Sequence, residues 1–204
     1  MQVHPDGQAG GPPAKEEAWV ALLSAGRVAA GIDPSVPASR PWIERLLKTE
    51  LKAAGEEAGA PPTLLHVPPG TVHALLAGCF VWEVQTPVEV TWRLDDYARL
   101  GLDGKPRALH LAQAAAVLAR GPAPRGYADA TGRHLVGKHF RIDLHPPGTA
   151  RRSSARIAFL PSGGEVRGGA GRGKLEVPPG RSVVLTEQAT SLRSAGWILM
   201  AAPR

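Results

Sequence analysis

The stretch TLLHVPPGTVHALLAGCFVWEVQTPVEVTWRL, residues 63–94, decides the fold class. Its apolar residues are rich in valine and are interrupted by proline and glycine, a pattern typical of three or four strands joined by tight turns. The 204 residues include 24 glycines and 20 prolines, which disfavour long helices, while a hydrophobic content of 43% is sufficient for a buried core. We therefore predict a mainly β fold.

Two segments depart from this pattern and predict short helices, at about residues 39–55 and 107–119. In the first, SRPWIERLLKTELKAAG, Ser39 suits an N-cap, Pro41 suits the first turn, and apolar residues recur at helical spacing. The second lies within PRALHLAQAAAVLARG and ends at a glycine. An earlier stretch, AWVALLSAGRVAAGI at 18–32, predicts a hairpin of two buried strands, with a short helix as the alternative.

A four-residue repeat indicates two related halves. VPPG occurs at residues 67–70 and again at 177–180, each time before a valine-rich run. Only the first copy is followed by a histidine, His73, so the first half is predicted to hold the chemistry. We predict a catalytic module at 1–120, an exposed linker at 121–134, and a C-terminal β module without metal ligands at 135–204.

Charge and composition limit the class of partner. The formal net charge of +6 favours anionic partners, among them sugar phosphates, nucleic acids and acidic membrane surfaces. The single cysteine, Cys79, excludes an intramolecular disulfide, and the longest apolar stretch is too short to span a bilayer. The basic residues after 150 lack interleaved aromatic residues, which argues against a nucleic-acid groove. We expect a cytoplasmic protein with no nucleic-acid or membrane partner and favour a monomer.

Four residues form a candidate metal site. Gln2 and His4 share one face of a strand because strand side chains alternate. Glu17 follows a loop, and His73 follows the Pro-Pro-Gly turn. Two imidazoles and a carboxylate are a familiar ligand set for a catalytic divalent ion such as zinc. The spacing alone leaves open that each histidine serves only structure. His134, His139 and His145 fit neither one strand face nor one helix face, and we assign them no site.

Several motifs occur in the order and approximate spacing of one family. QVHPD, KEEAW, VPPGTVHALLAG and EVQTPVEVTWRLDDYARLGLDGKPRALH resemble the type I mannose-6-phosphate isomerases of the cupin superfamily. The resemblance is strong over the first half of the chain and loose over the rest. It implies jelly-roll or β-barrel modules of the cupin type. It also implies one bound divalent ion, usually zinc, and a sugar-phosphate substrate.

The resemblance implies roles for named residues. Gln2, His4, Glu17 and His73 match the metal ligands of the family, the set that the chemistry of the sequence had already selected. Lys15 and Arg93 match active-site residues, and Glu89 lies where the family has an acidic residue. We therefore expect three catalytic residues and two substrate contacts. The alternative for the two substrate contacts is that they belong to a solvated turn and the start of a helix. The predicted catalytic residues are Lys15, Glu89 and Arg93, and the predicted phosphate contacts are Lys105 and Arg107.

The implied reaction interconverts mannose 6-phosphate and fructose 6-phosphate, with a proton moving between C1 and C2 through an enediol. The sequence leaves the base open between Lys15 and Glu89. The alternative function is a metal-bearing cupin that binds a sugar or other small molecule without turnover.

Departures from the family pattern concern the start of the chain and the segment before Glu17. The family has further strands before QVHP, whereas here Met1 directly precedes Gln2, so we expect the first module to be N-terminally incomplete and its metal site weakened. Ala14 replaces a glycine, and Glu16 replaces a small hydroxyl residue. These changes leave the metal ligands in place but put substrate positioning in doubt.

Overall fold

The computed structural model describes residues 1–22, 26–53, 60–118, 133–151, 155–169, 173–187 and 189–204. It forms two compact units, the first within Met1–Lys52 and Leu65–Gly126 and the second within Ala53–Leu64 and Tyr127–Arg204. The predicted linker, 121–134, lies outside the described residues except for its last two. His134 begins a strand. The boundaries of the proposed modules stay a prediction.

The first unit is built around a five-stranded antiparallel sheet. Its strands are β1 (Gln2–Val3), β3 (Arg27–Ile32), β4 (Leu46–Glu50), β6 (His73–Leu75) and β8 (Trp92–Arg93). They lie in the order β4-β3-β6-β1-β8. A three-stranded sheet of order β5-β2-β7 contains β2 (Glu17–Ala21), β5 (Leu64–Val67) and β7 (Val81–Gln85). Three or four strands were predicted within residues 63–94, and the structure has four, β5 to β8.

The second unit contains two further antiparallel sheets. The first has β9 (His134–Val136), β10 (Phe140–His145), β12 (Ile157–Leu160), β15 (Arg181–Val184) and β17 (Ile198–Pro203), in the order β15-β12-β17-β10-β9. The second has β11 (Gly148–Arg151), β13 (Gly164–Gly168), β14 (Lys174–Val177) and β16 (Ala189–Ser194), in the order β11-β16-β13-β14. Strands and antiparallel sheets dominate, so the predicted mainly β fold is confirmed.

The helix predicted at 39–55 is present only as a short segment and is wrong over most of its length. The described helix α1 covers only Trp42–Arg45, and the chain then continues directly into β4. β4 pairs with β3, and Leu46 is buried while Lys48 and Glu50 are exposed. Pairing with a neighbouring strand therefore overrode a short helical spacing. Residues 54 and 55 of the predicted helix lie outside the described residues.

The second predicted helix, 107–119, is present in shorter form as α2 (Leu111–Leu118), and residue 119 lies outside the described part of the chain. It starts later because His110 is held beside β8. The His110 N–H donates to the carbonyl of Arg93, and the Arg93 N–H donates to Nδ1 of His110. The predicted hairpin at 18–32 is also wrong in its pairing. Both strands exist, but β2 pairs with β7 while β3 pairs with β4 and β6.

Core packing determines the orientation of β1, the strand that carries Gln2 and leads into His4. Val3 is fully buried in a cluster with Leu46, Val72, Leu94 and Val117. Because successive strand residues point to opposite faces, this anchoring turns Gln2 and His4 to the other side. Among the described residues, no helix has the length and apolar character needed to cross a membrane.

Candidate metal centre

The strand β1 brings its side chains next to those of β6 and β8. Gln2 lies directly opposite His73 on one side and Arg93 on the other. Residues directly opposite in an antiparallel pair point to the same face, so these three side chains share one surface. Sequence separations of 71 and 91 residues are thereby closed by strand pairing alone.

The turn before β6 fixes the position of His73. The Thr71 N–H donates to the carbonyl of Pro68 at 3.2 Å, and Gly70 has a φ of 80°. Proline in the second and glycine in the third position is the combination that a type II turn requires. The Gly70 N–H also donates to the carbonyl of His4 at 3.1 Å, which ties the turn to the residue after β1.

Both histidines of the centre are oriented by backbone carbonyls. Nδ1 of His4 lies 3.1 Å from the carbonyl oxygen of Val90, and Nδ1 of His73 lies 2.8 Å from that of Thr71. A carbonyl oxygen can only accept, so each Nδ1 carries the proton. The Nε2 atom of each neutral imidazole then presents a lone pair, and the two rings lie with their centroids 4.8 Å apart.

These Nε2 atoms meet the carboxylate of Glu17. Oε1 lies 2.8 Å from Nε2 of His4, and Oε2 lies 3.5 Å from Nε2 of His73. All three side chains are at most 2% exposed. Oε2 of Glu17 and both Nε2 atoms make no hydrogen bond, although buried polar atoms are nearly always paired. Converging acceptors of this kind require a proton or a cation among them, and their ligand atoms lie within 4.8 Å of one another, close enough to hold a metal ion.

The pKa values of this cluster favour metal-binding protonation states. Burial lowers the pKa of His73 to about 4 against the opposing effect of the Glu17 charge, so the imidazole is neutral at pH 7. Burial alone would raise the pKa of Glu17. The close contact with His4, the positive charge that His73 and His4 carry when protonated, and the hydrogen bond from Lys15 outweigh it and lower that pKa to about 2. A neutral imidazole and an ionised carboxylate are the forms that bind metals.

Lys15 supplies a cation inside the centre. It is 7% exposed, and its Nζ lies 3.0 Å from Oε1 of Glu17. Its backbone N–H donates to the carbonyl of Pro5, one residue beyond His4. The segment that carries Lys15 and Glu17 is thus bonded to the segment that carries His4.

An open pocket of about 280 Å³ adjoins the histidine and arginine side of the centre. Gln2, His73 and Arg93 line it, together with Arg99 and Arg107. Of the five predicted catalytic and substrate-binding residues, only Arg93 and Arg107 are among these lining residues. The side chain of Gln2 lies on the face of His73, and its assignment as a metal ligand stays a prediction.

The remaining predicted residues lie in varied settings. Glu89 is exposed, next to the residue whose carbonyl accepts from His4. Lys105 is exposed, and its backbone N–H donates to Asp103. Arg107 makes a two-point ion pair with Asp96, through Nε at 2.6 Å and through a second, closer contact from Nη2. Its charge is therefore already balanced by a carboxylate.

Sequence reasoning missed Glu83. It lies opposite Trp19 on β7, and the Trp19 indole N–H donates to its Oε2 at 3.2 Å. Partial burial of the carboxyl group and the nearby Glu17 charge raise the pKa of Glu83. Trp19 also contacts His73 edge to face, with centroids 5.4 Å apart. A lone carboxylate inside the apolar run CFVWEV was the available signal.

No family model matches the chain. Four curated relatives match it, and all carry mannose-6-phosphate isomerase in their names. ManA of Bacillus subtilis is 36% identical over 77 residues, which cover 38% of this chain and 22% of the relative. The isomerase of Streptococcus mutans is 34% identical over 80 residues, which cover 39% of this chain and 23% of the relative. The matched segments span 17% to 23% of the four relatives.

Solved structures match over nearly the whole chain. The mannose 6-phosphate isomerase of Bacillus subtilis superimposes with a TM-score of 0.72 at 22% identity, over 98% of this chain and 70% of that protein. A zinc-bound mannose 6-phosphate isomerase gives a TM-score of 0.64 at 15% identity, over 98% and 70%. These comparisons confirm the resemblance inferred from the motifs and establish that the fold is the one seen in those proteins.

Proposed function

We propose that this protein interconverts mannose 6-phosphate and fructose 6-phosphate, and that it does so with one zinc ion. The observation that carries the proposal is the group of buried acceptor atoms on His4, Glu17 and His73, which lack hydrogen-bond partners. Two imidazoles and a carboxylate, with a position left for substrate, suit a catalytic zinc site. Gln2 would supply a fourth ligand from the same strand face.

The chemical difficulty lies in the proton on carbon, which is weakly acidic even next to a carbonyl group. A divalent ion, when bound, polarises the substrate oxygens and stabilises the negative charge of the enediolate. Arg93 lies in the adjoining pocket, where its planar guanidinium can donate to anionic oxygens of the substrate. Because the ion and the Arg93 guanidinium would already be in place, they would stabilise the charged intermediate without any rearrangement of the site.

Proton transfer between C1 and C2 needs a group that gains and loses a proton near neutral pH. Lys15 holds a proton beside the metal ligands and can pass it to a substrate oxygen. Glu83 has a raised pKa and is bonded to Trp19, so it joins the predicted Glu89 as a candidate base. The proposal assigns proton handling to Lys15 and one of these two carboxylates.

The phosphate group needs cationic donors away from the ligand atoms. Arg99 lines the same pocket as Gln2 and is proposed as such a donor, with Arg107, whose guanidinium is shared with Asp96, as a second. Lys105, on the exposed loop before Arg107, is proposed as a peripheral contact. A charged metabolite as substrate and the single cysteine agree with a cytoplasmic location.

The proposal is tested by a coupled assay that follows fructose 6-phosphate formed from mannose 6-phosphate. The chain is assayed with zinc, with a chelator, and as His73→Ala, with the exposed His134→Ala as the matched control. We expect turnover that the chelator and His73→Ala abolish and that His134→Ala leaves unchanged. Zinc binding without turnover would identify the non-catalytic binding protein instead, and turnover that survives the chelator would exclude the metal mechanism.

A further inference from the structure

A second buried histidine and carboxylate pair lies directly next to the metal centre in sequence. Nε2 of His66 lies 2.7 Å from Oε1 of Glu16, and the two residues are 9% and 1% exposed. Burying such a pair is costly, and an apolar pair of similar volume would be at least as stable. Stability alone therefore does not account for it.

The Glu16 and His66 pair lies on the side of residues 15–17 that is opposite to the side chains of Lys15 and Glu17. Glu16 is between Lys15 and Glu17, whose Nζ and Oε1 atoms meet at 3.0 Å. Since neighbouring residues of an extended chain alternate in direction, Glu16 points away from the metal centre. His66 lies on β5, which neighbours β2 in the three-stranded sheet.

The backbone of Glu16 is also fixed on both sides. Its N–H donates to Oγ1 of Thr86 at 3.1 Å, and its carbonyl accepts from the Thr86 N–H at 3.0 Å. These bonds attach the segment to the end of β7, while the side chain attaches it to β5 on the other flank. Together they leave residues 15–17 little freedom to shift or rotate.

We propose that Glu16 and His66 are positioning residues that hold the Glu17 carboxylate and the Lys15 ammonium at the distances the metal site needs. The inference rests on the proposed metal site, and the two residues anchor the segment whose Glu17 carboxylate approaches two imidazoles at once. Partners of this kind typically change metal affinity about 10–100-fold when removed. The role requires the hydrogen bond, which anchors the segment, and not merely a filled volume.

Zinc affinity is the decisive readout, measured by competition with a chromophoric chelator. Glu16→Ala is expected to weaken zinc binding at least about tenfold. Glu16→Gln keeps an oxygen that accepts from His66 and should remain within about threefold of the unaltered chain. The control, Ser194→Ala, removes a buried hydrogen bond in the second unit, from Ser194 Oγ to the Gly163 carbonyl, and should leave zinc affinity unchanged.

The double variant Glu16→Leu with His66→Leu separates positioning from packing and remains informative if Glu16→Ala fails to fold. An apolar pair should preserve the melting temperature, yet zinc binding should stay at least about tenfold weaker. Zinc affinity equal to that of the unaltered chain in this double variant, or in folded Glu16→Ala, would overturn the proposal.

The same measurements distinguish this proposal from the proposed function. An unaltered chain that binds zinc but does not isomerise mannose 6-phosphate would remove the isomerase and leave the positioning role standing. A chain that isomerises mannose 6-phosphate, but whose zinc affinity these variants leave unchanged, would support the proposed function and overturn the positioning role. A chain that binds no zinc at all would overturn both.

Discussion

The two VPPG turns occupy corresponding places in the two units. Gly70 and Gly180 both have positive φ values, 80° and 71°. The Gly70 N–H donates to the carbonyl of His4, and the Gly180 N–H donates to that of Leu160. A proline follows each acceptor residue, and a strand begins soon after each turn, so the local frame is the same.

Strand register extends this correspondence to the ligands. Gln2 lies opposite His73, three residues after the first turn, and Ala158 lies opposite Val183, three residues after the second. On the other side, Arg93 of β8 corresponds to Met200, which pairs with Ala158.

Where the first unit presents an amide, two imidazoles and a guanidinium, the second presents only apolar side chains. Ala158, Leu160 and Met200 belong to the buried core of that unit, with Val183 packed against it. The comparison teaches that the frame accepts either a polar centre or a filled core. The choice depends on a few side chains and not on the turn or the strands.

The largest expected effect comes from giving the first unit the residues of the second. His4→Leu combined with His73→Val removes two of the three clustered ligands, and we expect zinc affinity to fall by more than about 1,000-fold while the fold is retained. Calorimetric titration of the metal-free protein measures this. Zinc affinity within tenfold of the unaltered chain would show that the ion binds elsewhere.

The reverse exchange should destabilise the second unit without creating a site. Leu160 is fully buried, so Leu160→His places an imidazole among apolar groups and is expected to lower the free energy of unfolding by about 3 kcal/mol. Urea denaturation measures the change. Leu160→Met, which conserves volume, is the control and should cost less than about 1.5 kcal/mol. A stable Leu160→His variant would mean that this core already tolerates polar groups.

Low pH should decrease the folding stability of the metal-free protein, in part because His73 takes up a proton more readily in the unfolded chain. Its pKa is about 4 in the folded chain and 6.5 in the ordinary state, so the unfolded chain takes up a proton first as the pH falls. The neutral, buried imidazole therefore contributes stability above pH 6.5 that is lost as the pH falls towards 4, about 3 kcal/mol in all. Unfolding midpoints measured between pH 7 and 4 should fall less steeply for His73→Val, and parallel curves would contradict this account.

The smallest effect tests the turns themselves. Gly70→Ala and Gly180→Ala both place a Cβ at positive φ and should each cost about 1 kcal/mol of folding stability. Only Gly70→Ala is expected to weaken zinc binding, because that turn carries His73. Paired stability and zinc-affinity measurements on the two variants provide the check, and a loss of zinc affinity with Gly180→Ala would argue against the local origin of the effect.

Much of the candidate site could be predicted from the sequence because its residues carry distinctive chemistry. His4, Glu17 and His73 were selected as ligands and do converge. Gln2 lies on the expected face, and Arg93 pairs with it across strands. Glu83 was missed because a single carboxylate in an apolar run gains meaning only from its neighbour across the sheet, Trp19.

The incorrect fold predictions have the same origin. Residues 46–50 were assigned to a helix because their apolar spacing suits one, but β3 was available to pair with them. β2 and β3 were predicted as one hairpin, whereas each joins a different sheet. Both choices depend on segments distant in sequence.

The sequence by itself determined that the chain is mainly β, where its proline and glycine turns lie, and which side chains could bind a metal. These properties follow from local rules, since turn residues restrict their own dihedral angles and strand side chains alternate. Only the tertiary structure decided which strands pair, which carboxylates lie beside Trp19 and His66, and which of the two VPPG turns is surrounded by apolar side chains. Pairing is a competition between distant segments for the same backbone donors and acceptors, and no local pattern records its outcome.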